Sequence, residues 1–177
     1  MTGWVYAARA FRVWWVNTLI AFLANYLIFG MAAVFAMLWL FLDPRATKLL
    51  VAGSAVAGLL ITFALILLAA KLHTDSRPFV QNPSLHPLIK HAADNGFPSD
   101  HSAGAGLIAA LAVWRHRVLG AILGAAAIVV AAARVAAHVH HVQDVVAGLA
   151  IGVVAAALGI LLASAFIARR SHRVETA

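Results

Sequence analysis

The sequence predicts an all-α protein: a bundle of about five membrane-spanning helices preceded by a helix in the membrane interface. Of its 177 residues, 64% are hydrophobic and 11% are charged, and the mean hydropathy is +0.94. Uncharged apolar runs of about 20 residues are long enough to cross a bilayer as helices. The basic residues cluster at the ends of these runs, as membrane flanks do. The net charge of +7 therefore does not indicate a nucleic-acid partner.

The helices are predicted in the following order. Residues 1–16 form an amphipathic interfacial helix, because one helical stripe carries Trp4, Ala8, Phe11 and Trp15. Spans follow at residues 20–42, 49–70, 99–115, 118–137 and 144–168. Small residues four apart favour close helix packing, and such pairs occur at Gly120 and Gly124 and at Gly148 and Gly152.

The segment 71–98 is the long polar stretch of the chain and is predicted to be an irregular external loop. It holds four of the five prolines, Pro78, Pro83, Pro87 and Pro98, and each would interrupt a helix.

Residues 1–177 are interpreted as one integral membrane domain. The absence of cysteine excludes disulfides and thiolate metal sites. The N-terminal apolar segment also lacks the small-residue cleavage site of a secretory signal.

The basic residues predict the orientation of the chain. Five spans place the links 43–48 and 115–117 and the tail 169–177 on one side. That side carries seven basic residues, Arg45, Lys48, Arg115, Arg117, Arg169, Arg170 and Arg173. The other side carries Arg9, Arg12 and Lys90, and also Lys71, Arg77 and Arg134, which we assign to chemistry. The positive-inside rule therefore predicts a cytoplasmic tail and an outward-facing loop.

The stretch RVAAHVHHVQD, residues 134–144, places costly polar groups between two apolar runs, and such groups in membrane proteins are usually functional. His140 and Asp144 are four residues apart, so on a helix they would face the same side. The carboxylate could then accept a hydrogen bond from one ring nitrogen. The other nitrogen would remain free as a base, nucleophile or metal ligand. Arg134 could hold an anion nearby.

Two further clusters lie at the same ends of the predicted spans. KLHTDSRPF contains Lys71 and Arg77, and GFPSDHS contains Ser99 and His101. Two guanidinium groups and an ammonium fit the oxygens of a phosphoryl group. Ser99 can cap the third span, whose first N–H groups form an anion site. His101 is then placed to pass a proton.

Together, the three clusters resemble the signature of the type 2 phosphatidic acid phosphatases, membrane lipid phosphatases related to the vanadium haloperoxidases. That signature is a lysine and Arg-Pro, then Pro-Ser-Gly-His, then Ser-Arg, five residues, His, three residues and Asp. Arg134, His140 and Asp144 match the third element's spacing in full. The resemblance covers about residues 71–148 and extends to the helix layout. The form Pro-Ser-Asp-His is similar to the branch of bacterial undecaprenyl-diphosphate phosphatases.

Three positions depart from the signature. Lys71 is separated from Arg77 by five residues, where the family usually has six. Ala133 replaces the usual serine and removes one hydroxyl from the phosphate cradle. Asp100 replaces the usual glycine; its charge suits a helix N-terminus, and we expect it to point away from a bound phosphate.

The resemblance implies a mechanism without metal or cofactor. His140 attacks phosphorus to form a phosphohistidine, and Asp144 orients the ring. His101 protonates the leaving oxygen and then activates water. His138 and His141 have no part in the signature and are expected to be polar lining or structural. The residues expected to hold the phosphate oxygens are Lys71, Arg77, Ser99 and Arg134.

The implied substrate is a lipid phosphate in the bacterial plasma membrane, with the active site facing the periplasm. Undecaprenyl diphosphate is the first choice because of the Pro-Ser-Asp-His form and the short chain. Phosphatidylglycerol phosphate, phosphatidic acid and other polyprenyl phosphates stay open. The sequence does not indicate the oligomeric state.

Two other classes are weighed against a phosphatase. A metal-binding membrane protein could use His138, His140, His141 and Asp144 as zinc ligands, but Arg77, Arg134 and Lys71 would repel a cation. A serine hydrolase could use Ser99 and His101, but the chain has no GxSxG elbow.

Overall fold

The computed structural model describes the backbone of residues 3–175 and the side chains of residues 13–170. The described chain is helical, and a π-helical turn, Leu38–Leu42, extends the first helix. The side chains that defined the predicted interfacial stripe up to residue 12, and those of the tail from residue 171, lie outside the described residues. The helices are α1 (Gly3–Met37), α2 (Arg45–Leu72), α3 (Pro78–Gln81), α4 (Asp100–Arg115), α5 (Arg117–Ala136) and α6 (Val142–Glu175).

Four helices among the described residues are long and apolar enough to cross a membrane. They are Val13–Leu42, Arg45–Leu72, Arg117–Ala136 and Val142–Arg170, which correspond to the predicted first, second, fourth and fifth spans. The predicted third span is α4, which has only 16 residues. It extends about 24 Å at the rise of an α-helix, whereas the hydrocarbon core of a bilayer is about 30 Å thick.

The N-terminal region differs from the prediction. α1 runs without a break from Gly3 to Met37, so the predicted interfacial helix and the first span form one element. The prediction placed the boundary between these two elements at residues 16–20. Instead, the Thr18 hydroxyl donates to the carbonyl of Trp14 at 2.8 Å. This bond satisfies the hydroxyl along the helix, and the helix continues.

α4 is the central helix, in contact with α1, α2, α5 and α6. Its approach to α6 requires glycine, because a Cβ atom on Gly148 would lie 2.5 Å from the carbonyl oxygen of Ser99. A Cβ on Gly152 would likewise overlap the backbone of α4 at Ala103. The predicted packing at Gly148 and Gly152 is therefore confirmed. Gly124 faces open space, so that predicted contact is wrong.

The outer surface of the bundle is apolar. Large hydrophobic side chains on several helices are more than half exposed, which is the arrangement expected when lipid is the surrounding solvent. They include Phe22, Phe29, Leu60, Phe63, Ile122, Ile128, Leu161 and Phe166.

Polar contacts occur at both ends of the bundle. At one end, the Ser99 N–H donates to the carbonyl of Asp144 at 3.0 Å, which joins the start of α4 to α6. At the other end, Arg115 at the end of α4 pairs with Asp43 at 2.9 Å. We call the first the loop end, because the segment 71–98 lies there, and the second the far end.

The segment 71–98 is largely irregular, as predicted, and contains α3 and one isolated bridge between Ser76 and Asn95. Asn95 organises it. Its side-chain oxygen accepts from the N–H groups of Asp75 at 2.9 Å and Phe97 at 3.0 Å. Its amide donates to the carbonyl of Ala70 at 3.2 Å. One side chain thereby fixes the loop against the end of α2.

Candidate active site

The turn between α5 and α6, residues 137–141, reverses the chain with a Schellman motif. The N–H of His138 donates to Val135 O at 2.9 Å and the N–H of Val139 donates to Arg134 O at 3.4 Å, which is the hydrogen-bond pattern of that motif. His138 occupies its left-handed position with φ 61°. The reversal brings His140 back beside Arg134, so residues six apart in sequence become neighbours.

Asp144 caps the start of α6 from within its first turn. Its Oδ2 accepts the backbone N–H of His141 at 2.8 Å, which is one half of a capping box. The carboxylate is completely buried. Its negative charge is favourable at a helix N-terminus. The same Oδ2 lies 3.4 Å from Nδ1 of His140, so the cap also holds the carboxylate against the histidine.

His140 is buried, and its two ring nitrogens have different partners. Nδ1 donates to the carbonyl oxygen of Gly96 at 2.9 Å, which is nearer than the Asp144 carboxylate. This bond places the proton on Nδ1 and leaves the lone pair on Nε2. Nε2 accepts from Nη1 of Arg77 at 3.3 Å and from Nη2 of Arg134 at 3.2 Å. Two guanidinium groups therefore face the free nitrogen.

The surroundings of His140 keep its ring neutral. Burial lowers the pKa of His140 below its usual value, and the positive charges of Arg134 and Arg77 lower that pKa further. Hydrogen bonding and charge from Asp144 oppose the shift without reversing it. A neutral imidazole with an available Nε2 lone pair has the form required of a nucleophile.

Arg77 precedes Pro78 at the start of α3 and is buried. Its guanidinium is fixed by three contacts besides the one to His140. Nε donates to Oδ1 of Asp94 at 2.8 Å, and Nη1 donates to the carbonyl of Val139 at 2.8 Å. Nη2 donates to the carbonyl of Asn95 at 3.4 Å. The loop and the α5–α6 turn thus aim the guanidinium at His140 together.

Arg134 is 2% exposed, and its hydrogen-bond partners are neutral groups. Nη1 donates to Ala24 O and Asn25 Oδ1, both at 3.5 Å, and Nη2 donates to Nε2 of His91 at 3.1 Å. None of the ion pairs within the described residues includes Arg134. A buried charge without an opposite charge costs several kcal/mol. The arrangement therefore favours an incoming anion.

A cavity of about 290 Å³ brings these groups together. His101, which is half-buried at the start of α4, shares it with His140 and both arginines. A larger groove of about 1130 Å³ runs between α2 and α6 towards Arg169 and Arg170, but contains none of the predicted site residues. The smaller cavity is lined by Ile66, Ala70, Arg77, His91, Asp94, Asn95, Phe97, Pro98, Asp100, His101, Arg134 and His140.

Lys71 is not among the residues that line this cavity, and it is exposed. The preceding residue, Ala70, lines the cavity instead. Ala70 is separated from Arg77 by six residues, the spacing that the family signature uses for lysine. One residue along an α-helix rotates the side chain by about 100°. The five-residue spacing therefore turns the lysine away from the position expected of it.

Ser99 caps α4 as predicted, accepting the N–H of Ser102 at 3.5 Å. Its hydroxyl is fully buried, also accepts from the Ser102 hydroxyl at 3.2 Å, and does not line the cavity. Asp100 is exposed and lines the cavity, so the expectation that it turns away from the site is not met. Ala133, in the place of the usual serine, packs in an apolar cluster with Ala24 and Ile89.

Several residues at this site were not predicted from the sequence. His91 and Asn25 contact Arg134, and Gly96 accepts from His140. None of these three residues lies in the Arg-Pro, Pro-Ser-Asp-His or Arg–His–Asp element of the signature. Gly96 is needed for close approach, since a Cβ there would lie 3.3 Å from Oδ2 of Asp144.

The zinc ligands of the alternative hypothesis are not assembled in the described part of the chain. The group of potential ligands found there is Asp75, His141 and Asp144, whose donor atoms lie within 4.8 Å of one another. His141 Nδ1 is 3.0 Å from Oδ2 of Asp75. His138 instead donates to the carbonyl of His86 at 3.1 Å. His140 faces the two arginines.

Comparison with known proteins agrees with this geometry. The model of the PAP2 superfamily matches residues 54–168. Undecaprenyl-diphosphatase BcrC of Bacillus subtilis (strain 168) is 31% identical over 141 residues, which cover 78% of this chain and 70% of that protein.

Two crystal structures have a similar fold. Aquifex aeolicus LpxE matches with a TM-score of 0.64 and 21% identity, over 82% of this chain and 83% of that one. The transmembrane PAP2 type phosphatidylglycerolphosphate phosphatase from Bacillus subtilis matches with a TM-score of 0.57 and 22% identity, over 88% and 78% of the two chains. The chain therefore belongs to the PAP2 superfamily and is a multi-pass membrane lipid phosphatase, a metal-independent hydrolase of lipid phosphate esters.

Proposed function

We propose that this phosphatase removes the terminal phosphate of undecaprenyl diphosphate or a related polyprenyl diphosphate through a phosphohistidine on His140. The observation that carries the mechanism is the position of Nε2 of His140 between two guanidinium groups, with Nδ1 bonded to Gly96. The substrate is supported by the name and identity of the BcrC relative and by the Pro-Ser-Asp-His form of residues 98–101.

In the first step, the lone pair of Nε2 of His140 attacks the terminal phosphorus. The bond between that phosphorus and the bridging oxygen breaks, and His101, which is protonated once the phosphoryl dianion is bound, gives its proton to the leaving lipid monophosphate. Arg77 and Arg134 turn their N–H groups from Nε2 to the phosphoryl oxygens and stabilise the developing charge. The Gly96 carbonyl and the Asp144 carboxylate stabilise the imidazolium that results.

In the second step, His101 takes a proton from water, and the resulting hydroxide attacks phosphorus. The P–N bond breaks, its electron pair returns to Nε2 of His140, and inorganic phosphate leaves. The enzyme is thereby restored with both histidines in their starting forms. The cavity of about 290 Å³ is small, so it admits the headgroup while the lipid chain stays in the bilayer.

Phosphate release from a panel of lipids tests the substrate. The purified chain is compared on undecaprenyl diphosphate, undecaprenyl phosphate, phosphatidylglycerol phosphate and phosphatidic acid in the same detergent micelles. We expect the highest kcat/KM for the diphosphate. A higher value for a phospholipid would reject the polyprenyl substrate without affecting the chemistry.

Trapping of the phosphohistidine tests the mechanism. Label from the terminal phosphate should be trapped on wild-type protein during turnover and be absent from His140→Ala.

We infer further that the active site faces outward from a bacterial plasma membrane and that α4 makes a fifth crossing. α4 connects the loop end to the far end, through Ser99 and Arg115. The links 43–48 and 115–117 and the end of α6 all lie at the far end, since Asp43 pairs with Arg115 and a single groove contains Leu49 and Arg170. The basic segments thus share one end, which the positive-inside rule assigns to the cytoplasm.

Single cysteines in this cysteine-free chain test the orientation. Ser84 is exposed in the loop, and Ser171 lies in the tail. Intact cells are labelled with a thiol reagent that does not cross membranes. We expect Ser84→Cys to react and Ser171→Cys to be protected until the cells are opened. The opposite pattern would place the active site in the cytoplasm and would argue against an outward-facing lipid substrate.

A further inference from the structure

His91 is a polar side chain of the cavity that the proposed mechanism leaves without a role. It belongs to the loop that precedes α4, is half-buried, and lines the cavity with His101 and His140. No element of the family signature includes it.

Packing fixes the position of His91. Ile89, two residues earlier, is buried against Ala133, Ala137 and Val139 around the end of α5. The N–H of Leu88 donates to the carbonyl of Ala137 at 3.1 Å. This part of the loop is therefore attached to the same turn that carries His140.

The contacts of His91 place it next to the reacting nitrogen. Nη2 of Arg134 donates to Nε2 of His91 at 3.1 Å and to Nε2 of His140 at 3.2 Å. The two rings are nearly perpendicular, with centroids 6.1 Å apart. Nδ1 of His91 is buried and has no partner among the described residues. An anion drawn to Arg134 and His140 would therefore also reach His91.

The phosphate cradle has a place for a third cation. Arg77 and Arg134 supply two permanent charges, and the lysine expected beside them is turned away, with Ala70 lining the cavity instead. A terminal phosphoryl group has three peripheral oxygens, and charge-assisted hydrogen bonds to such oxygens are about twice as strong as neutral ones.

We propose that His91 is a substrate-binding residue, which takes up a proton when the phosphoryl group binds and supplies the third positive charge of the cradle. The proposal rests on the proposed active site and deepens it.

The charged and titratable groups that face His91 support this proton uptake. Burial, followed by the charges of Arg77, Arg134 and His140, lowers the pKa of His91, whereas Asp94 on its own loop raises it. Asp100 and His101 on α4 line the same cavity. The ring is thus neutral in the free enzyme at neutral pH. A bound dianion would offset the two guanidinium charges. The ring would then accept a proton, keep it, and donate a hydrogen bond to a phosphoryl oxygen.

Calorimetric titration of the full-length protein in detergent with inorganic tungstate tests the proposal. Tungstate is a tetrahedral dianion that takes up no proton itself in neutral solution. Titrations in buffers of different ionisation enthalpy give the number of protons bound with the anion. His101 and His140 also face the anion, so the readout is the difference between wild type and His91→Gln. His86→Gln is the matched control, an exposed histidine of the same loop.

We expect His91→Gln to bind tungstate about tenfold or more weakly and to take up fewer protons than wild type, while His86→Gln matches wild type. His91→Lys, with a permanent charge, should retain most of the affinity and show the same reduced uptake. Thermal unfolding checks that each variant is folded. If His91→Gln is not folded, the proposal is tested by the proton uptake of His91→Lys compared with that of wild type.

Equal proton uptake in wild type and His91→Gln would overturn the proposal, even with weakened binding, because His91 would then act only by positioning Arg134. Unchanged affinity in His91→Gln would overturn it as well. Both readouts are independent of the lipid. Reduced uptake together with failure to hydrolyse polyprenyl diphosphate would reject the proposed substrate and leave the role of His91 intact.

Discussion

Both ends of the bundle contain a buried charged side chain, and the one at the far end, Asp43, is paired with an arginine. There, Asp43 is 6% exposed, and its Oδ1 pairs with Nη2 of Arg115 at 2.9 Å and lies 3.6 Å from His116. Arg115 also donates to the hydroxyl of Thr47 at 3.3 Å. The contacts join the start of α2 to the end of α4. The buried carboxylate of Asp43 therefore has its partners within the protein.

At the loop end, Arg134 is buried, as Asp43 is, but it forms no ion pair among the described residues. Arg77 pairs with Asp94, whose side chain is 60% exposed, so water weakens that interaction. We interpret this difference as separating a structural arginine, Arg115, from a functional one, Arg134. A paired arginine stabilises the fold, whereas an unpaired one facing a histidine is arranged for an anion.

The largest effects are expected from removing the two histidines of the loop-end cavity that we assign to catalysis, His140 and His101. His140→Ala should lower kcat by about 10⁴-fold or more, because the nucleophile is lost. His101→Ala should lower it by roughly 10²–10⁴-fold, the usual contribution of a general acid–base. Phosphate release from the preferred lipid measures both.

Two histidines serve as controls for this experiment. His141→Ala, next to the nucleophile, should retain most activity, and so should His116→Ala at the far end. If His141 were essential and His140 dispensable, the assignment of the nucleophile would be wrong.

The next largest effects are expected from replacing one arginine at each end, Arg134 and Arg115, by methionine. Arg134→Met should lower kcat/KM by about 10²–10³-fold and leave the free energy of unfolding equal or higher, because an unpaired buried charge is removed. Arg115→Met should lower the unfolding free energy by about 3 kcal/mol, since Asp43 loses its main partner, while kcat of the folded protein is retained. Denaturant unfolding and phosphate release provide the two readouts. If Arg134→Met were the less stable variant, the interpretation of the loop end would fail.

Most of the helices and the proximity of the polar groups in residues 134–144 were predictable from the sequence for physical reasons. A bilayer forces each span to satisfy its own backbone, so α5 at Arg117–Ala136 lies within one residue of the predicted 118–137. The spacing of Arg134, His140 and Asp144 predicted their proximity, although the reason differs from the one assumed. His140 and Asp144 do not share a helix; a Schellman turn and an N-terminal cap bring them together.

The partners supplied by the loop were not predictable. His91, Asn95 and Gly96 reach the site through an irregular segment, where no periodicity relates position to direction. Lys71 shows the same limit at the end of a helix, because a shift of one residue turned its side chain out of the cavity. For such residues, only the three-dimensional path of the chain shows which side chains reach the site.

A smaller effect is expected in the pH dependence of activity. Protonation of His140 removes the Nε2 lone pair, so the rate falls as the pH drops through its pKa. Burial and the two arginines lower that pKa, so the acid limb of kcat/KM should lie below the usual histidine value of about 6.5. His116→Ala at the far end should leave this limb in place. A limb above that value would mean that the charge of Asp144 outweighs burial and both arginines.

The smallest effect concerns the turn that places His140. His138 adopts φ 61°, a left-handed conformation that costs a residue with a Cβ about 1–2 kcal/mol and costs glycine little. Its side chain also donates to the carbonyl of His86 at 3.1 Å, a bond that both His138→Gly and His138→Ala would lose. The difference between the two variants therefore isolates the backbone strain. We expect His138→Gly to be more stable than His138→Ala by about 1 kcal/mol in denaturant unfolding. Both should retain most activity, because the Schellman turn is kept and His138 does not line the cavity. Equal stability of the two variants would mean that the turn relaxes once the bond to His86 is removed.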